Sequence, residues 1–179
     1  MSRIAPAQPP YPESVQKNFD ALMKGAEPLF LFRVLARDER LSARFMGAGL
    51  LDRGHVTLRE REIVILRVCA NSRSEYEWGV HVTFFSARAG LTPEQVAATA
   101  RDGVADACWN DRDRLLLRMC DELRDGTTLS DALWSELSAA FSEEALLELL
   151  LLNGFYRTTS ILTNALKLPL ETFGARFPE

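Results

Sequence analysis

The stretch Leu58–Gly90, "LREREIVILRVCANSRSEYEWGVHVTFFSARAG", decides the fold. Its first half reads at the helical period, with Thr57 placed to cap the start and acidic residues in the first turn. Its second half is another helix, ending at Gly90, where glycine takes a left-handed cap conformation without strain. Only a short turn near Asn71–Ser74 separates them, so the two helices fold back as an antiparallel hairpin. On the second helix Ser74, Glu77, Trp78 and His81 share one stripe, because residues three, four and seven apart face the same way. Glu62 lies on the first helix at a similar distance from the turn and opens the apolar run "IVILRVCA". A carboxylate there is costly unless it is paired. Glu62, Glu77 and His81 are therefore expected to converge.

The rest of the chain reads as helices too. "ESVQKNFDALMK" carries Val15, Phe19, Leu22 and Met23 on one face. "AEPLFLFRVLARDERLSARFMGAGLLDRG" reads as two short helices broken near "RDER" and stopped at Gly54. Thr92, Pro93 and Gln95 give a capping box with proline at the first helical position. "NDRDRLLLRMCDELRDG", "SDALWSELSAAF" and "SEEALLELLLLNGFYRTTSILTNALKLP" each start at a polar cap. No run alternates with period two. The fold class is all-α, seven to eight helices in one domain over residues 13–179, preceded by a proline-rich, flexible arm over residues 1–12. The last helix is apolar nearly all round in its first half, which calls for burial at the centre or against another subunit. Gly154 within it is read as a close helix approach.

Among 179 residues, 47% are hydrophobic and 26% charged, as in a soluble globular protein. A net charge of −4 and a pI near 5.3 argue against nucleic acid or an anionic membrane as a partner. The N-terminus lacks the apolar core of a signal peptide, and no apolar run reaches the roughly 20 residues needed to cross a bilayer. A cytoplasmic location is expected. Cys69, Cys108 and Cys120 share no CxxC or metal-knuckle spacing and read as buried thiols.

The hairpin's pattern is that of a known family. Arg-Glu on one helix, Glu-Trp-x-x-His on the next, an Ala-x-x-x-Gly-Leu ending and a Thr-Pro-Glu start resemble the carboxymuconolactone decarboxylase family, which includes the alkylhydroperoxidase D-like proteins. "NGFYRTTSILTNALKLPLE" is similar to the C-terminal helix of its longer members, so the resemblance spans roughly residues 15–172. It implies an alkylhydroperoxidase D-like bundle, symmetric homo-oligomers (dimer, trimer or hexamer), a small-molecule substrate, and no metal or organic cofactor. In the hydroperoxidase branch it also implies a glutamate, a CxxC pair, and a histidine four residues after the second cysteine. Glu62 and His81 match the glutamate and the histidine; the two thiol positions fall on Ser74 and Glu77. Serine and glutamate cannot replace a thiolate and its resolving partner.

Three functions remain open. Glu62, Glu77 and His81 could exchange protons with a small organic acid or lactone, in decarboxylation or isomerisation. Arg73, Arg157, Asn153 and Asn164 would then be available for substrate carboxylates. A lone thiol, Cys69 above all, could instead reduce hydroperoxides in a peroxiredoxin-like way. The chain could also be a non-enzymatic oligomeric binding protein. Ser74, Trp78 and Cys69 are candidate pocket residues beside the catalytic three, with Trp78 and Tyr76 open to a core reading as well. Glu62, Glu77 and His81 also offer three ligands for a divalent ion, a reading set below the metal-free one. Tyr156, Arg157, Ser160 and Asn164 make a polar stripe that borders either the site or a subunit contact, and His55 sits in a loop.

Overall fold

A computed structural model describes residues 2–101 and 107–178, and within them the chain forms nine α-helices and no strand. These are α1 (Glu13–Met23), α2 (Phe30–Leu35), α3 (Glu39–Gly47), α4 (Leu58–Asn71), α5 (Glu75–Phe85), α6 (Pro93–Thr99), α7 (Asp111–Gly126), α8 (Asp131–Ala140) and α9 (Glu143–Ala165). The helix starts follow the capping logic. Thr57 with Glu60 and Thr92 with Gln95 form full capping boxes, while the side chains of Asn110, Ser130 and Ser142 each accept from a backbone N–H three residues on.

The helix at the centre is α4, not α9. It packs against α5, α6, α7 and α9, and its residues 60–69 are buried without a break. Charge on α4 hides this from periodicity, yet each charge has a partner. Arg59 pairs with Asp113, Glu60 with Arg112, and Arg67 bidentately with Asp121 at 2.7 Å on both arms. Arg67 also donates to the Thr99 and Arg101 carbonyls, closing the end of α6. On α9 the inner face carries Leu146, Leu149, Leu152 and Tyr156, and the outer face leaves Leu147, Leu151 and Ile161 59–64% exposed. Gly154 lies on that outer face with nothing near it, so it serves no close helix approach.

Two further readings are corrected. The second short helix ends at Gly47 rather than Gly54, and residues 48–57 run as a loop. Gly54 instead lets the Glu148 carboxylate come close, which also accepts from the His55 N–H at 2.6 Å. Helix α5 stops at Phe85, five residues before Gly90, which is left-handed at φ 68° after a turn. The proline-rich arm lies on its own chain. Arg3 N–H donates to the Leu166 carbonyl, Ala7 N–H to that of Arg33, and Tyr11 packs edge-on against Phe19.

The α4–α5 reversal is tight. Arg73 is left-handed (φ 53°), and the N–H groups of Arg73 and Ser74 return to the carbonyls of Ala70 and Cys69, which turns the chain in three residues. Ser74 Oγ then meets Thr163 Oγ1 at 2.8 Å and ties the start of α5 to α9. The C-terminal segment straps the other side of α5. Ala175 N–H donates to Gly79 O at 3.1 Å, and Phe177 lies against Trp78 with ring centroids 5.1 Å apart. A Cβ at position 79 would meet the Ala175 carbonyl, so only glycine admits the strap there. Tyr76 anchors the same segment by donating to Glu171 while accepting from Leu31 N–H.

Candidate proton-transfer site

The hairpin brings Glu62, Glu77 and His81 together. Glu62, fully buried, accepts on both oxygens: Oε1 from Arg61 Nε at 3.0 Å, Oε2 from His81 Nδ1 at 2.8 Å. The other His81 nitrogen, Nε2, faces Glu77 Oε1 at 3.5 Å. Helix α4 contributes Arg61 and Glu62, and α5 contributes Glu77 and His81 one turn apart. Helix α9 closes the third side with Tyr156, whose ring stands edge-on to the imidazole at 4.9 Å. Phe85 flanks the imidazole at 5.1 Å and lies under the Arg61 guanidinium.

The electrostatics set protonation. Burial alone would pull the His81 pKa down, but Glu62 and, less strongly, Glu77 outweigh it and raise it to about 9. At neutral pH His81 is therefore an imidazolium, donating through Nδ1 to Glu62 and holding Nε2–H toward Glu77. Burial pushes the Tyr156 phenol well above its ordinary value, with Glu77 and Glu62 adding to the effect, so it stays protonated. Cys69 is fully buried, and burial with Glu77 and Glu62 drives its thiol pKa well up. Those charges oppose a thiolate. Cys120 is likewise raised, to about 12.

Some polar atoms of this interior lack a partner. Among the described residues Glu77 Oε2, Ser160 Oγ and Asn153 Nδ2 are buried without a hydrogen bond. Ser160 lies beside the Cys69 sulfur without reaching hydrogen-bonding geometry. Asn153 is two turns away along α9, beside Cys120.

The remaining expected residues divide. Trp78 is buried, donates from Nε1 to Thr99 Oγ1 at 2.9 Å, and reaches a cleft of about 520 Å³ together with Val82, Ser86 and Pro93. Ser74 is occupied with Thr163. Arg73 is exposed and lines a separate cleft of about 510 Å³ with Arg67, Arg101 and Arg124. Arg157 is exposed and donates to the Leu123 carbonyl, and Asn164 donates to that of Ser72. Of the four groups considered for substrate carboxylates, only Asn153 faces the interior. Among the described residues, no three His, Cys, Asp or Glu side chains are grouped to hold a metal ion, and no helix is long and apolar enough to cross a membrane. Arg61 was not among the expected site residues. Its signal was present in "RERE": a guanidinium next to a carboxylate that must be buried.

A sequence profile of the carboxymuconolactone decarboxylase family matches residues 39–117, which run from α3 through the hairpin into α7. This segment belongs to the carboxymuconolactone decarboxylase family. The fold agrees with solved structures of distant sequence. A peroxidase-related protein from Silicibacter sp. TM1040 is 16% identical over 96% of this chain and 92% of that one, with a TM-score of 0.81. An alkylhydroperoxidase AhpD core protein from Ralstonia eutropha JMP134 is also 16% identical, over 96% and 93%, with a TM-score of 0.79. A Cys-to-Ala variant of the debrominase Bmp8, in complex with 2,3,4-tribromopyrrole, is 14% identical over 97% and 94%, with a TM-score of 0.75. No curated protein matches the sequence. The all-α architecture is the alkylhydroperoxidase D-like one.

Proposed function

We propose that the chain is an enzyme of the carboxymuconolactone decarboxylase type, performing cofactor-free acid–base chemistry on a small organic acid or lactone. The observation that carries this reading is the buried 2.8 Å contact between His81 and Glu62. It holds the imidazole charged at neutral pH with Nε2–H turned away from Glu62. Charged, His81 is a general acid. Glu77 Oε2, which has no partner among the described residues, is the complementary base. In an isomerisation Glu77 takes a proton from one carbon, the electron pair moves through the conjugated system, and His81 Nε2–H protonates the other end. In a decarboxylation the C–C bond breaks, carbon dioxide leaves, and His81 protonates the carbon that keeps the electron pair. Tyr156 and Phe85 pack their rings 4.9 and 5.1 Å from the imidazole, and such apolar surroundings strengthen both charges' effect.

A peroxidase reading has less support, although two of the similar structures bear that word. Ser74 and Glu77 stand where the family's thiols would be, and the charges around Cys69 oppose its ionisation.

The test is deuterium incorporation from heavy water into a panel of lactones and organic acids, followed by NMR. His81→Gln is expected to lower exchange or turnover roughly 10²–10⁴-fold with the helical fold unchanged. Full activity in His81→Gln overturns the reading.

A further inference from the structure

The cleft of about 510 Å³ beside the hairpin turn gathers four guanidiniums and, among the described residues, no carboxylate on its lining. Arg67 comes from α4, Arg73 from the turn, Arg101 from just beyond α6 and Arg124 from α7. Phe177 and Pro178 of the C-terminal strap close one side. Like charges gathered this way repel one another, yet the floor is held in place. Arg67 is buried and fixed by both Asp121 oxygens and by the Thr99 carbonyl at 3.1 Å. Asn71 donates to the same carboxylate at 2.9 Å and accepts from Arg124. Asp121 thus offsets one cation from outside the lining. Asp125 pairs with Arg124, but its side chain is 70% exposed, where an ion pair contributes little. Arg73, also exposed, makes no ion pair among the described residues. In a chain of net charge −4, the cleft is a concentration of the opposite sign.

We propose that this cleft binds a small anion carrying at least two phosphate or carboxylate charges, with Arg73 as a direct partner. Cations that line a concave surface focus their field on whatever enters it. Each guanidinium offers paired N–H donors that match the oxygens of a phosphate or a carboxylate. The volume lies in the range of small-molecule sites. Because Arg67 and Asn71 are already fixed, binding has few side chains left to order. No residue of the cleft belongs to the group of Glu62, Glu77 and His81, so the proposal stands or falls apart from the proton-transfer reading.

The experiment is a calorimetric titration of the full chain at pH 7 with pyrophosphate, citrate and acetate. Ionic strength is fixed at about 0.15 M, so that general screening is the same throughout. At least one of the two multivalent anions is expected to bind about tenfold or more tighter than acetate, since each added charge-assisted contact is worth roughly that factor. Their relative affinity tells a phosphate-bearing ligand from a carboxylate-bearing one. Arg73→Gly removes the guanidinium and keeps the turn, because Arg73 is left-handed at φ 53° and glycine favours that conformation. It should weaken binding about tenfold or more, the loss of one such contact. Arg40→Ala removes an exposed arginine of α3, outside the cleft, and should leave binding unchanged. Three results overturn the proposal: no binding of either multivalent anion, acetate binding as tightly as both, or Arg73→Gly binding no more weakly than Arg40→Ala.

Discussion

Replacing Glu62 with Gln should move the His81 pKa from about 9 to its ordinary 6.5 or below. The substitution keeps the side chain's shape and an acceptor oxygen for His81 Nδ1, and removes only the charge. In the native protein burial is the largest influence on His81 and acts downward. The Glu62 charge and its hydrogen bond come next and act upward, with Glu77 behind them. With the Glu62 charge gone, burial is opposed by Glu77 alone, across 3.5 Å. The fall from about 9 to 6.5 corresponds to about 3 kcal/mol at about 1.4 kcal/mol per pH unit. The assay is an NMR titration of the histidine ring carbons from pH 5 to 10, with His55→Gln to assign the exposed second histidine. The same cause fixes the pH dependence of folding. A histidine raised in the folded state contributes its full stabilisation below pH 6.5 and loses it as pH climbs through 9. Native unfolding free energy should thus decline between those values by up to about 3 kcal/mol, and Glu62→Gln should flatten the decline. A His81 that still titrates near 9 in Glu62→Gln, or near 6.5 in the native chain, refutes the electrostatic account.

Three further outcomes follow from the packing. Gly79→Ala sets a methyl against the Ala175 carbonyl, so the C-terminal strap should detach or the helix shift, at about 1–3 kcal/mol by chemical denaturation and with faster proteolysis after residue 170; an unchanged transition contradicts the strap. Arg67→Ala strips Asp121 of its bidentate partner and α6 of its closing donor, which should destabilise the fold by about 3–5 kcal/mol; a loss under 1 kcal/mol would show the pair is dispensable. Native protein treated with peroxide or a thiol reagent at pH 7 should leave Cys69 and Cys120 unmodified, with reaction confined to the half-buried Cys108. A sulfenic adduct on Cys69 by mass spectrometry would contradict the charge argument.

What the sequence made legible is local geometry. Glu62 and His81 sit at comparable distances from a three-residue turn, so their meeting follows from helical rise alone, and the capping boxes at Thr57 and Thr92 are complete within four residues. What it hid is set by partners far along the chain. The composition of α9 calls for burial at the centre or against another subunit, and it is α4 that takes the centre, because Asp113, Arg112 and Asp121 neutralise its charges from 52–54 residues away. Gly154 reads as a contact and is an open surface position, since nothing in a helix's own sequence says which neighbour it meets. Arg61 stayed unread for the same reason. Its role depends on the Leu51 carbonyl, in a loop that periodicity had assigned to helix.

Of the two positions where the resemblance places thiols, Ser74 and Glu77, only Glu77 adds a charge beside His81, and the proposed proton transfer turns on it. Glu62 and His81 suit a relay that shuttles protons for a neighbouring thiol, and such a relay works best when the histidine titrates near neutrality. Glu77, where the resemblance implies one of the thiols, puts a second carboxylate 3.5 Å from the far nitrogen of the imidazole. That carboxylate reinforces the charged histidine, and with Glu62 it suppresses ionisation of Cys69, the thiol beside them. The carboxylate at 77 thus favours a charged His81 and, added to burial, disfavours a thiolate at Cys69. Removing the charge at 77 should ease both effects together: Glu77→Gln should lower the His81 pKa by less than Glu62→Gln does, and should make Cys69 easier to ionise. If the two move independently, the charge at 77 is not what links them.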